Sequence, residues 1–218
     1  MFTNLNWKNS ARPLEATCWL LIFYGSNTLA MNYLPFSPLL ASWSWPYATD
    51  IVLTFVDLVS LGGLLWILKI RGMGLSNSQP ASDLKQKVLY SLLTFLVIYA
   101  SDKLYSHFFP IPPLETQGWG SFLAQFSLAV ISGPIFEEVL FRGLLLRYVF
   151  PKQPIFGLIV SSFVFVLIHP ISDLSAFWFY GLPGLALGML YGKTKDIRLP
   201  IAVHMALNLL SHVQIHFF

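Results

Sequence analysis

Apolar stretches about twenty residues long, with charge gathered mostly at their ends, recur along the whole chain and leave few folds open to it. They lie near 14–34, 47–69, 87–109, 119–141, 155–170, 175–192 and 199–218. Of the 218 residues, 56% are apolar and 11% charged, whereas an ordinary soluble domain has about 25% charged. A single core in water could not hide so much Leu, Phe and Trp, but a bilayer absorbs it. A soluble globular enzyme, a disordered chain and a collagen-like chain are thereby excluded. The expected architecture is all-α: a polytopic transmembrane helical bundle of about seven spans, within about six to eight, with residues 1–218 forming one integral membrane domain.

Basic residues orient such a bundle. Lys8 and Arg12 precede the first stretch, while Lys69, Arg71, Lys85 and Lys87 bracket the second connection. Arg142, Arg147 and Lys152 bracket the fourth, and Lys193, Lys195 and Arg198 fill the sixth. The connections 35–46, 110–118 and 171–174 hold Glu115 and Asp173 but no Lys or Arg, so twelve of the 13 basic residues fall on one side. The positive-inside rule then places the N-terminus in the cytoplasm and the C-terminus outside. Thr28-Leu29-Ala30 loosely resembles a cleavage site, yet the first stretch is expected to be a span rather than a leader. Trp43, Trp45, Tyr47 and Trp119 suit interfacial anchors. A linker rich in Gly, Ser, Asn and Pro runs from Gly72 to Ser82. The basic residues form no patch interleaved with aromatics, so no nucleic-acid partner is expected. Cys18 is the one cysteine, which removes disulfide frameworks and Cys-based zinc knuckles.

Charge at the centre of a span costs about 2.5–3.5 kcal/mol per residue on insertion scales, so each such group needs a reason. Asp57, Asp102 and Lys103 form one set, and depth allows Asp57 and Lys103 to pair between neighbouring spans. His107, His212 and His216 lie near outer ends, where water is available, and carry no expected role. A second set lies in Ser132-Gly-Pro-Ile-Phe-Glu137-Glu138-Val-Leu-Phe-Arg142. Gly133-Pro134 is expected to break or kink the helix, with Pro134 in the first turn of a new one. Glu138 and Arg142 are then i and i+4, the favourable order for an acid and a base. Glu137, turned about 100° away, cannot share that partner equally and is expected to face the bundle interior. A carboxylate placed there suits a general base or acid, although a purely structural charge cluster is equally consistent with this segment alone.

The third set is His169, His204 and Asn208. Phe165-Val-Leu-Ile-His169 ends the fifth span, and the turn at Pro151–Pro154 has Glu137 fifteen residues before Lys152 and His169 seventeen after it. Across an antiparallel hairpin these counts put Glu137 and His169 at similar depth. His204 and Asn208, also i and i+4, present an imidazole and an amide on one helix face, both able to donate to a developing oxyanion. Counting from Arg198 puts His204 only about six residues in, shallower than the same count puts Glu137.

Together EEVLFR at 137–142, FVLIH at 165–169 and HMALN at 204–208 resemble the EExxxR, FxxxH and HxxxN motifs of the CPBP family of intramembrane proteases, which includes CaaX prenyl endopeptidases and Abi-type bacterial proteins. The resemblance places the catalytic motifs within 134–208. It implies a glutamate-dependent endopeptidase in which Glu137 and His169 position and deprotonate water and His204 and Asn208 stabilise the oxyanion. Glu138 and Arg142 would support the site. It implies a peptide or protein substrate without licensing a prenylated one; an apolar or lipidated tail entering laterally from the bilayer is a separate expectation, as are the absence of a cofactor and a setting in the plasma membrane of a bacterium. Three rivals stand beside it. Two histidines and a carboxylate are adequate zinc ligands, although HExxH is absent. Asp57, Asp102 and Lys103 would line the pathway of a transporter or channel. The same fold without catalysis would serve as a membrane binder or bacteriocin-immunity protein.

Overall fold

A computed structural model describes residues 12–33, 47–75, 83–109, 122–123, 125–169 and 173–217. Lys8, Trp43, Trp45, Glu115, Trp119, Pro170 and the stretch 76–82 of the linker lie outside the described residues. Those that are described form helices and connections, with no strand among them. The helices are α1 (Arg12–Tyr33), α2 (Ala48–Ile70), α3 (Leu84–Phe108), α4 (Gly133–Glu138), α5 (Pro154–Leu167), α6 (Ala176–Phe179), α7 (Gly181–Thr194) and α8 (Arg198–Phe217). Wider π-helical turns run through Phe126–Ser132 and Val139–Val149, on either side of α4. Among the described residues two helices, α2 and α3, are long and apolar enough to cross a membrane.

Most helix bounds fall within a few residues of the apolar stretches, but the fourth departs from expectation. Hydropathy ends it near 141, whereas the helical path continues to Val149. Arg142 stops a hydropathy count, yet it is fully buried with its charge met inside the protein, so the backbone has no cause to end there. The path also does not break at Gly133-Pro134. It changes from π to α geometry and runs on.

The described chain divides into two compact units. One comprises 1–20, 75–111 and 138–203. Within it α7 packs against α5 and α3, and α5 packs against Val139–Val149. Leu144, Phe141, Phe165, Val166, Leu187 and Leu190 fill its centre, each no more than 2% exposed. Gly184 permits the close approach of α7, because a Cβ there would lie 3.3 Å from Ser162 Cα. Near the opposite face Trp178 Nε1 donates to Ser101 Oγ at 2.9 Å, and the Trp178 ring meets Tyr105 edge-on.

The other unit comprises 21–74, 112–137 and 204–218, with α2 packed against Phe126–Ser132. Asp57 is buried in it, and Asn27 Nδ2 donates to Asp57 Oδ1 at 2.8 Å. That neighbour is one the polar census of the sequence did not single out. Lys103, in the first unit, holds its Nζ 5.4 Å from the centre of the Tyr99 ring. His212 is buried against the rings of Phe122 and Phe126, which gives this outer-end histidine a packing role.

Capping chemistry closes the exposed ends. Asp83 accepts from Gln86 N at 2.7 Å at the start of α3. Helix α7 ends on Lys195 in the left-handed region, φ 54°, with Lys195 N donating to Tyr191 O at 2.8 Å. Immediately after it, Asp196 gathers Lys87 Nζ at 2.9 Å, Arg198 Nη2 at 2.7 Å and Arg198 Nε at 2.8 Å. Hydrogen bonds from Arg198, joined by Lys87, hold this carboxyl well below the usual carboxylate range. Its folded value is depressed, so its contribution is full above the unfolded value near pH 4 and is lost as pH falls through the lower folded one. Asp196→Asn is expected to cost about 1–2 kcal/mol at neutral pH and to flatten the acid limb of stability against pH. Thermal unfolding in detergent between pH 3 and 7 checks both.

Candidate active site

The approach to the two glutamates is built from wide turns. Gly133 N donates to Leu128 O, five residues back, and a Cβ at Gly133 would lie 2.7 Å from that oxygen, so no larger residue fits without moving backbone. Ser132 Oγ donates to Ser127 O at 3.2 Å within the same turn. Pro134 offers no N–H to the ladder, which a π turn tolerates at its junction with a new α turn. Helix α4 then delivers Glu137 and Glu138 on successive residues, aimed about 100° apart.

Glu137 belongs with α8. Its Oε2 lies 3.9 Å from His204 Nε2, and the two side chains are 23% and 12% exposed. One turn further along α8, Asn208 Nδ2 donates to Ala129 O at 2.8 Å. An amide nitrogen carries two protons, so that bond leaves the second for another acceptor. The same bond ties α8 to the wide-turn segment that leads into Glu137. The shallow depth that residue counting gives His204 does not keep it from Glu137.

Glu138 belongs with the core of the other unit. Arg142 Nη1 donates to Glu138 Oε1 at 3.0 Å and Nη2 donates to Gly184 O at 2.9 Å, both side chains being fully buried. The guanidinium also sits 5.2 Å from the centre of the Phe165 ring. His169 follows the end of α5, with Nδ1 2.7 Å from Phe165 O. A carbonyl only accepts, so Nδ1 bears the proton in the neutral ring and Nε2 is the basic nitrogen. Tyr180 stacks on this imidazole at 4.2 Å between centroids and 22° between planes. Phe165 thus serves twice, through its ring to Arg142 and through its carbonyl to His169.

Residues 119–210 match the family described as Type II CAAX prenyl endopeptidase Rce1-like. All six site residues lie inside the matched range. Among curated proteins it is similar to "Putative membrane peptidase YdiL" of Bacillus subtilis, 38% identical over 80 residues, which are 36% of this chain and 32% of that protein. It is also similar to "UPF0177 protein YvdC" of Lactococcus lactis, 29% identical over 91 residues, 42% of this chain and 35% of that one. The matched segments thus span about a third of each relative's length. No solved structure matches the chain.

Sequence reasoning missed the parts of this Rce1-like segment that act through main-chain oxygens. Ala129, Phe165 and Gly184 each supply a carbonyl, a role with no side-chain signature. Tyr180 was findable in principle as an aromatic beside Gly181, but nothing in its spacing points at His169. Among the described residues no three of His, Cys, Asp and Glu cluster as metal ligands would.

Removing one member of a fully buried ion pair leaves an uncompensated charge. Arg142→Ala is expected to lower stability by about 3–5 kcal/mol, whereas Glu138→Leu combined with Arg142→Met stays much nearer the parent. Denaturation of the purified variants in one detergent checks the ordering, and equal losses for the two would show that the charges are not what matters.

Proposed function

We propose that the chain is an intramembrane endopeptidase in which Glu137 and His169 activate a water molecule for attack on a peptide carbonyl. Glu137 takes the proton as the water oxygen bonds to the carbonyl carbon, and His169, basic at Nε2, orients the same water. His204 and Asn208 donate to the oxyanion that develops on the carbonyl oxygen. Collapse of that intermediate breaks the C–N bond, and the proton held by the carboxyl passes to the departing amine. Glu138 and Arg142 position this chemistry without taking part in it. The reaction asks for no cofactor.

The observation that supports the reading is the approach of Glu137 Oε2 to His204 Nε2 at 3.9 Å, a carboxylate oxygen beside an imidazole nitrogen. The segment's match to a prenyl endopeptidase family and its likeness to a protein named as a membrane peptidase support peptide bonds as the target. The substrate we infer is a peptide or protein whose apolar or lipidated tail enters laterally from the bilayer. Around this chemistry we infer a single integral membrane domain of about seven spans. Its N-terminus lies in the cytoplasm of a bacterium and its C-terminus outside.

In a cleavage assay on membrane peptides with detergent-purified protein, Glu137→Gln is expected to lower kcat by about 10²–10⁴-fold, with a chelator leaving the parent unchanged. Inhibition by the chelator would replace this mechanism with a zinc-dependent one, and equal cleavage by parent and variant would remove Glu137 from the chemistry. For the topology, alkaline phosphatase fused after Phe218 is expected to be active in bacterial cells and a fusion after Gly74 inactive. The reverse pattern would invert the orientation.

A further inference from the structure

One cavity stands apart from the six site residues. It lies in the first unit, where Val139–Val149, α5 and the end of α7 converge, and encloses about 580 Å3. That is within the range of about 300–1,000 Å3 typical of small-ligand sites. Its walls divide by chemistry. Leu146, Phe150, Leu158 and Met189 give it an apolar side, while Arg147, Lys193 and Lys195 bring three cations, and no carboxylate lines it. The nearest acid in sequence, Asp196, is committed to Lys87 and Arg198.

Two features mark the cations as more than a solvated fringe. Arg147 Nη1 is buried and has no hydrogen-bond partner among the described residues, so the guanidinium, which also lies by the Tyr148 ring and hydrogen-bonds Tyr191, keeps a donor for a further acceptor. Lys195 occupies a left-handed backbone position, φ 54°, where glycine would be unstrained, and holds its Nζ 5.9 Å from the centre of the Tyr191 ring. A charge is kept there against the local backbone preference. The apolar side opens toward Ile155, Phe156 and Met189, which are 75%, 53% and 54% exposed, so a ligand with hydrocarbon chains can continue outward along the protein.

We propose that this cavity binds an anionic phospholipid, with its phosphate held by Arg147, Lys193 and Lys195 and its first methylenes against Leu158 and Met189. Charge complementarity selects the headgroup, and the adjoining exposed apolar side chains select a lipid over a soluble anion. The basic end of these helices is also the one that charge asymmetry assigns to the cytoplasmic leaflet. The site requires that the chain be embedded in a membrane, but it does not require catalysis, and its test reads binding alone.

The test is thermal unfolding and native mass spectrometry of the full chain in detergent, with added dioleoylphosphatidylglycerol, dioleoylphosphatidylcholine, inorganic phosphate or a soluble acidic hexapeptide. Phosphatidylglycerol is expected to raise Tm by roughly 4 °C or more and to survive as a bound adduct, with the other three giving little of either. Arg147→Gln is expected to weaken the response about tenfold in lipid concentration. Lys195→Gly removes a charge while relieving the backbone, so it is expected to keep or raise the lipid-free Tm yet lose part of the lipid response. A role confined to packing would not separate those two readouts. Equal stabilisation by phosphatidylcholine would overturn the headgroup assignment. An equal effect of phosphate or of the peptide would make the cavity a site for that ligand instead. An undiminished response in both variants would place the lipid elsewhere.

Discussion

A fully buried guanidinium–carboxylate pair sets the terms for the helices that carry the candidate chemistry. Arg142 meets Glu138 with one nitrogen and the Gly184 carbonyl with another, and its plane rests near Phe165. Each contact reaches a different element: Glu138 on α4, Gly184 on α7 and Phe165 on α5. Breaking the arrangement would strand a charge away from water, so Glu138, α5 and α7 hold one mutual arrangement or pay several kcal/mol. Stability alone does not explain the choice, since well-packed apolar residues could hold the same helices at equal or lower cost. What the pair adds is registry: a bidentate donor has few acceptable positions for its acceptors, whereas leucines slide.

That registry reaches His169 through Phe165. The residue whose ring lies by Arg142 is also the one whose carbonyl receives the His169 Nδ1 proton, so the ion pair and the imidazole tautomer share a single anchor. Tyr180, stacked on the other side, limits rotation of the ring. A substitution at Phe165 would therefore alter both at once, whereas one at Tyr180 would leave the ion pair as it is.

The sequence disclosed the helices and the polar residues well, because both leave local marks. Apolar run length located α1, α2, α3, α5 and α8 to within a few residues and took α6 and α7 as one stretch, and the i, i+4 spacing of Glu138 and Arg142 announced their contact. It failed where the mark was tertiary. Arg142 reads as a stop to a hydropathy window and is in fact a core residue, since its charge is satisfied by a carbonyl forty-two positions away. Depth counting left the placement of His204 relative to Glu137 open, because it assumes straight α-helices with a uniform rise. Wide turns at Phe126–Ser132 and Val139–Val149 violate that assumption around the residue being counted. Asn27, the donor to Asp57, was invisible for a simpler reason: an uncharged amide attracts no notice in a search for costly charges.

Adjacent glutamates would ordinarily compete for the same counter-charge, and their separation here follows from helix geometry. Successive side chains diverge by about 100°, so one basic residue at i+4 can serve only one of them well. Arg142 serves Glu138 through Nη1 and Gly184 O through Nη2. Glu137 instead approaches His204, its Oε2 3.9 Å from Nε2. The two neighbouring glutamates thus face different side chains, a guanidinium for Glu138 and an imidazole for Glu137.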